Sequence, residues 1–319
     1  MVQLVRIYVL HLILSFCTAT AIYAKHEVLV IPKGEKATFW ALVSEGAMKA
    51  GRTLGVEVTV RAPFSENHHD AQLHIIEYGI KQKVDAIVLA PNHESATAPA
   101  LKHAVEKGIK VVLVDSDMTS SYHTCVIASN NAIAGKMAAD HLAALIGNSG
   151  KVILARHIKG HASTQKREQS FLETLVSEYP QIQVVADPYV GASMGEAYRT
   201  MSYLLRDQPD VKGIFSVGEE ASLGILRALN EGRYTSEIKF IGFDFNVTVR
   251  EALFSNGMDA TILQNPFQMG YMGVEIANRL ILEEKVEPLL YTDMLLVSKE
   301  NMFTPEVQRI IRYYLEPKE

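Results

Sequence analysis

Short apolar runs alternate with longer segments whose apolar positions recur at helical spacing, and the alternation extends over nearly the whole chain. Residues 26–31, 56–60, 85–89 and 111–114 read as strands. The last two are continuous β-branched and Leu-rich runs of the kind that is buried on both faces of a parallel sheet. Between these strands, helices are predicted from about Thr38 to an exit at Gly55, over 70–82 and over 95–107. In the first helix Phe39, Leu42, Val43, Ala47 and Met48 form one face. A fifth strand is expected at 124–128, and a helix opens at Ala132. The second half repeats the pattern, with strands at 151–155, 183–186, 213–217 and 239–243 and helices over 164–177, 194–206 and 219–231. A strand at 260–263, a helix over 270–282, a strand at 292–297 and a terminal helix over 305–314 complete the chain. Such regular alternation predicts α/β architecture with parallel sheets, built as two similar halves. No low-complexity tract or long linker separates them, so several short crossings must join the halves, and such a pair can close like jaws.

The stretch from Lys110 to Lys136 is the most informative. The strand at 111–114 stops on Asp115-Ser116-Asp117. In open α/β sheets the carboxyl ends of the strands border the crevice where ligands bind, so Asp115 reads either as a ligand acceptor or as the cap of a turn. Asp244 follows the strand at 239–243 in the same way. Paired acids at equivalent strand ends of two halves are harder to dismiss than one. Ser129-Asn130 is the expected first crossing between the halves.

A chain of 319 residues suits two domains. Its 48% hydrophobic and 21% charged content and net charge of −5 describe a globular, mildly acidic protein, with no footprint for nucleic acid. The first 24 residues differ from the rest: Arg6 precedes an apolar run from Ile7 to Phe16, and small residues follow at Ala19, Thr20 and Ala21. That is the form of a secretory signal peptide, with cleavage after Ala21 or Ala24, and the run is short for a membrane span of about 20 residues. Of the two cysteines, Cys17 lies in this segment. Cys125 is then left inside an apolar strand, as a buried small hydrophobe.

Several motifs together resemble one family. They are Phe39-Trp40 with Glu45-Gly46-Ala47, Val84-Asp85-Ala86-Ile87, Val114-Asp115, and Ala128-Ser129-Asn130-Asn131 with Gly135. Arg167-Glu168 before Phe171, Gly242-Phe243-Asp244, and Ala260-Thr261-Ile262 with Gln264 complete the set. Across residues 25–305 the chain resembles the periplasmic substrate-binding proteins of the ribose and galactose type. The resemblance implies two Rossmann-like lobes of the type I periplasmic-binding-protein fold, three hinge crossings and a monosaccharide bound between the lobes. It places the crossings near Ser129-Asn130, Gln264-Asn265 and Thr292-Asp293. The expected division is a signal peptide at 1–24, an N-terminal lobe of 25–129 plus 265–292, and a C-terminal lobe of 130–264 plus 293–319.

A sugar presents hydroxyls that both donate and accept, together with an apolar C–H face. A site for it needs carboxylates and amides, a guanidinium fork and aromatic walls. Asp115 and Asp244 are the expected acceptors and Arg167 and Asn131 the donors, with Gln264 able to do either. Phe39, Trp40 and Phe243 are the expected stacking walls. Three positions depart from the family pattern. Gly218-Glu219 stands where many relatives carry Asn and an acid, so a hydroxyl there is either absent from the ligand, held by water, or read by Glu219 or Glu220. Val190 stands at the ring-stacking position of the second lobe, and Ser116 stands where the ribose binder has Arg.

Other readings are weaker. No Gly-x-Gly-x-x-Gly follows the first strand, and there is no Gly-x-Ser-x-Gly elbow or phosphate loop, so neither an enzyme nor a cofactor is expected. A metal site is not expected either. His68, His69 and His74 do not present three ligands on one face, whereas His157 follows a strand and can reach the cleft, with His161 four residues on. The expected protein is a periplasmic monomer that hands its ligand to a membrane permease of an ABC importer. The alternative is a ligand-sensing subunit for a sensor kinase or chemoreceptor.

Overall fold

The structure, a computed structural model, describes residues 25–315; the expected signal peptide lies outside the described residues. The first sheet starts with β1 (Glu27–Ile31), α1 (Thr38–Leu54), β2 (Glu57–Val60), α2 (His69–Gln82) and β3 (Ala86–Leu89). It continues with α3 (Ala98–Glu106), β4 (Lys110–Val114) and β5 (Cys125–Ala128). The chain then passes to a second sheet through α4 (Asn131–Leu145), β6 (Gly150–Ala155), α5 (Ala162–Glu178), β7 (Ile182–Ala186) and α6 (Met194–Asp207). There follow β8 (Val211–Ser216), α7 (Glu219–Gly232), β9 (Lys239–Phe243), α8 (Val247–Phe254) and β10 (Ala260–Gln264). It returns to the first sheet with α9 (Pro266–Ile281) and β11 (Leu289–Tyr291), and ends on the second with β12 (Met294–Ser298) and α10 (Pro305–Leu315).

Each sheet has six strands, ordered β2-β1-β3-β4-β5-β11 and β7-β6-β8-β9-β10-β12. All pairs are parallel except β10 with β12. The two orders are equivalent, and each sheet has its topological switch between its first-formed strand and the third: β1 with β3, and β6 with β8. Two α/β lobes of one design therefore face each other, joined by three crossings of the chain. Strands β3, β5 and β10 are buried at every residue, as both faces of each sheet are covered.

The sequence pattern did not reveal α8 or β11. The first has eight residues, and the second is a three-residue edge strand with Leu289 and Tyr291 exposed, so neither carries a readable period. Helix α9 starts at Pro266, four residues before its predicted start, because Asn265 caps it: its side chain accepts from the Gln268 N–H. Asn130 caps α4 in the same way through the Ile133 N–H, so two crossings end on an Asn that starts the next helix.

Two close helix contacts depend on glycine. A Cβ on Gly270 of α9 would lie 1.8 Å from the Val43 carbonyl oxygen of α1, and one on Gly135 of α4 would lie 2.2 Å from the Arg167 carbonyl oxygen of α5. The second contact seats the start of α5, and with it the Arg167 side chain, against the crossing helix.

Candidate functional site

The strands of both sheets end at one shared cavity. Asp115 follows β4 and Asp244 follows β9, and both adopt the left-handed backbone conformation, with φ of 65° and 67°. Aspartate tolerates this region better than most residues, and strained backbone held by its surroundings clusters at binding sites. Each acid's N–H is tied to the neighbouring strand, Asp115 to the Ile127 carbonyl at 2.8 Å and Asp244 to the Ile262 carbonyl at 2.9 Å. The two halves thus build the same turn and aim both carboxylates into the cleft.

Arg167, in the second turn of α5, lies between them. Its Nε donates to Asn131 Oδ1 at 2.7 Å, one terminal nitrogen to the Val217 carbonyl at 2.8 Å, and the other to Gln264 Oε1 at 3.2 Å. Gln264 Nε2 in turn donates to Asp244 Oδ1 at 2.7 Å. The guanidinium lies over the Phe243 ring, 3.7 Å from its centroid. Three of its five N–H donors are used within the protein, and the plane is fixed from below, which holds the remaining donors in place.

On the other side Lys33, two residues beyond β1, is almost wholly buried. Its ammonium donates to Asp115 Oδ2 at 2.6 Å and Ser116 Oγ at 2.7 Å, and reaches across to Ser163 Oγ at 3.4 Å. Further contacts join the lobes. Glu219 accepts from the backbone N–H groups of Thr38 and Phe39 at 3.3 and 3.2 Å, so a C-lobe carboxylate caps α1, whose own N-cap residue Ala37 offers no side-chain acceptor. Glu66, in the loop after β2, accepts from the Trp40 indole N–H at 2.6 Å and meets His157 Nε2 at 3.0 Å.

Of the residues singled out from sequence, Phe39, Trp40, Asp115, Arg167, Glu219, Asp244 and Gln264 line this cavity. Ser116 sits just behind Asp115, hydrogen-bonded to it and to Ser163 at 2.9 Å each. Asn131 uses its carbonyl oxygen to accept from Arg167, the reverse of the donor role expected for it. Two residues stand elsewhere. Val190 is packed in the C-lobe core with Ala197 and Met201, and its N–H is tied to the Arg156 carbonyl, so it walls no ligand. Phe243 is fully buried and supports Arg167 instead of facing the cleft.

Sequence reasoning missed Lys33, Glu66, Ser163 and Thr164, which also line the cavity. Lys33 was accessible by the rule applied to Asp115, because it is the second residue beyond β1 at the switch point. His157, expected to reach the cleft, occupies the corresponding place after β6, and it lines the cavity together with His161.

The electrostatics follow from burial. Desolvation pushes the Asp244 carboxyl up to about 7 against the opposing pull of the Arg167 charge and the Gln264 hydrogen bond. Burial also raises Glu219, partly offset by its hydrogen bonds from Asn246, Phe39 and Thr38. For Glu66 burial works upward, but the His157 hydrogen bond and the His157, His161 and Lys33 charges reverse it and hold the carboxyl below the ordinary range. Burial and the neighbouring Lys33 charge drive His161 well below the usual imidazole range.

The periplasmic binding protein domain family matches residues 28–285. The chain belongs to that family. Among its relatives, the ribose import binding protein RbsB of Escherichia coli is 28% identical over 287 residues, which cover 90% of this chain and 95% of that one. The D-allose-binding periplasmic protein of the same species is 25% identical over 279 residues, covering 85% and 89%. Two solved structures share the fold throughout. A carbohydrate transporter solute-binding protein from Agrobacterium radiobacter, in complex with D-arabinose, superimposes with a TM-score of 0.86 at 28% identity, covering 91% of this chain and 99% of that one. An ABC transporter solute-binding protein from Agrobacterium vitis with bound D-fucose gives 0.86 at 31%, covering 89% and 99%. The sequence resemblance and the type I architecture are thus established, and several of the motifs that carried them, among them Phe39-Trp40, Val114-Asp115, Arg167-Glu168 and Gly242-Phe243-Asp244, reach the cleft.

Proposed function

We propose that this protein is the periplasmic solute-binding component of an ABC importer and captures a monosaccharide between its lobes. One observation carries the reading: Asp115 and Asp244, from equivalent turns of the two sheets, meet at one cavity with the guanidinium of Arg167 between them. Phe39 and Trp40 line the same cavity from the N-lobe side, and the apolar face of a sugar ring calls for aromatic neighbours of this kind. Relatives across nearly the whole chain bind ribose, allose, arabinose and fucose, which supports a pentose, hexose or deoxyhexose. The lobes divide as 25–129 plus 265–292 and 130–264 plus 293 onward, and the permease reads the paired outer surfaces of a closed monomer. The cleft binds its ligand and performs no chemistry on it.

Charge-assisted hydrogen bonds contribute about 1.5–3 kcal/mol each, and micromolar affinity needs about 8 kcal/mol, so four or five contacts with one stacked ring are enough. The cavity in this closed arrangement is about 50 Å³, far below the roughly 300–1,000 Å³ of ordinary ligand pockets. A sugar therefore enters with the lobes apart.

The test is a thermal-shift screen of pentoses, hexoses, deoxyhexoses and polyols, followed by calorimetry on the best ligand. A true ligand raises the melting temperature by mass action. Asp115→Ala, Arg167→Ala and Asp244→Ala are each expected to weaken binding at least about tenfold. Unchanged affinity in all three variants rules out this site, and turnover of any glycoside by the purified protein rules out a role in binding alone.

A further inference from the structure

Glu66, His157 and His161 line the same cavity as a cluster to which the sugar reading assigns no contact. Glu66 Oε2 lies 3.0 Å from His157 Nε2 and 3.5 Å from His161 Nδ1, and the three donor atoms all fall within 4.8 Å of one another. Among the described residues this is the one grouping of His, Cys, Asp or Glu donors tight enough to surround a single ion. Tetrahedral coordination with metal–ligand distances of about 2.0–2.2 Å places donor atoms roughly 3.3–3.6 Å apart, close to the two separations from Glu66 Oε2 to the imidazoles.

Two independent features point the same way. His161 is fully buried, yet neither ring nitrogen has a hydrogen-bond partner, and neither does His157 Nδ1. Buried nitrogens without partners are uncommon and costly unless something outside the chain satisfies them. Glu66 is held for the purpose: the Trp40 indole N–H takes Oε1, leaving Oε2 directed at the two imidazoles. This is the outer hydrogen bond that orients a ligating carboxylate in metal sites.

We infer that Glu66, His157 and His161 form a divalent-metal site, of the two-histidine, one-carboxylate type that suits zinc, which ties the lobes together across the cleft. Glu66 comes from the loop after β2 in the N-terminal lobe, whereas His157 and His161 flank the β6–α5 turn in the C-terminal lobe. The complete set therefore exists only when the lobes are closed. Three protein ligands leave a fourth position for water or a hydroxyl of a cleft-bound molecule. Sequence alone gives no hint of such a grouping, because it separates Glu66 from His157 by 91 residues.

The site is tested without sugar, so its outcome is independent of the proposed transport function. Mature protein stripped with a chelator is titrated with Zn2+ by calorimetry, and with Co2+ while the visible absorption of the four-coordinate ion is followed. One equivalent is expected to bind. Glu66→Gln, His157→Ala and His161→Gln should each weaken binding by at least about a hundredfold, with circular dichroism confirming a folded protein. Three separate substitutions keep the test decisive if one of them fails to fold. Sugar binding is measured in parallel in the presence of chelator. No zinc binding by a protein that still binds sugar overturns the metal site alone. Zinc binding that survives all three substitutions also overturns it, since surface histidines such as His68 and His74 would then be the ligands.

Discussion

Replacing Lys33 by methionine isolates the electrostatic foundation of the cleft. The Lys33 and Asp115 side chains are 2% and 5% exposed and 2.6 Å apart, so each neutralises the other where water cannot. Without the ammonium, Asp115 keeps only the Ser116 and Ser163 hydroxyls, at 2.9 and 3.2 Å. Removing one partner of a buried ion pair costs about 3–5 kcal/mol. Protonation sets a ceiling, because neutralising a carboxylate with an ordinary pKa of about 3.9 at pH 7 costs about 4 kcal/mol. Lys33→Met should therefore lose about 3–4 kcal/mol at pH 7, or roughly 6–16 °C in melting temperature for a chain of this size. Urea denaturation followed by circular dichroism at about pH 7 and about pH 5 is the assay. The deficit should shrink at the lower pH as the orphaned acid takes up a proton, and Lys33→Met with Asp115→Leu should recover most of it. A loss under about 1 kcal/mol that is the same at both pH values would refute the assignment of Lys33 as the counter-charge.

Asp244, raised to about 7, binds a proton in the folded protein that the unfolded chain has already released. Its contribution to stability is therefore complete below about pH 4 and is lost as pH rises through about 7, and Asp244→Asn should gain stability at about pH 8. A ligand hydroxyl that donates to the carboxylate favours its ionised form, so calorimetry in two buffers near neutral pH should detect proton release on binding; proton uptake would contradict it. Gly270→Ala should lose about 1–3 kcal/mol by urea denaturation although alanine is the better helix former by about 1 kcal/mol, because the new Cβ meets the Val43 carbonyl. A net gain would show that α1 and α9 can move apart. Glu219→Ala removes the cross-lobe cap of α1 and should open the ligand-free protein in small-angle scattering and weaken sugar binding by up to about thirtyfold. Unaltered scattering and affinity would mean that this contact does not hold the cleft shut.

Periodicity alone determined most of the architecture. Buried strands such as β3 and β4 need continuous apolar residues, and amphipathic helices such as α1 need them at helical spacing, so both are written locally. The acids at the ends of β4 and β9 were legible for the same reason, since a strand's carboxyl end is a position in sequence as well as in space. What lies opposite a side chain across a cleft is a different matter. Lys33 meets Asp115 because β1 and β4 are assembled into one sheet on either side of β3, and Glu66 meets His157 only because two sheets built far apart in the chain are set face to face. Val190 and Phe243 show the converse. Each was placed at the ligand by the family resemblance, but a side chain at or beyond a strand end points where the local backbone and its packing neighbours send it. Val190 went to the core and Phe243 beneath Arg167. Local pattern therefore decided which elements form and which ends face the crevice, whereas partners, burial and charge at the site arose from contacts between residues that sequence distance keeps apart.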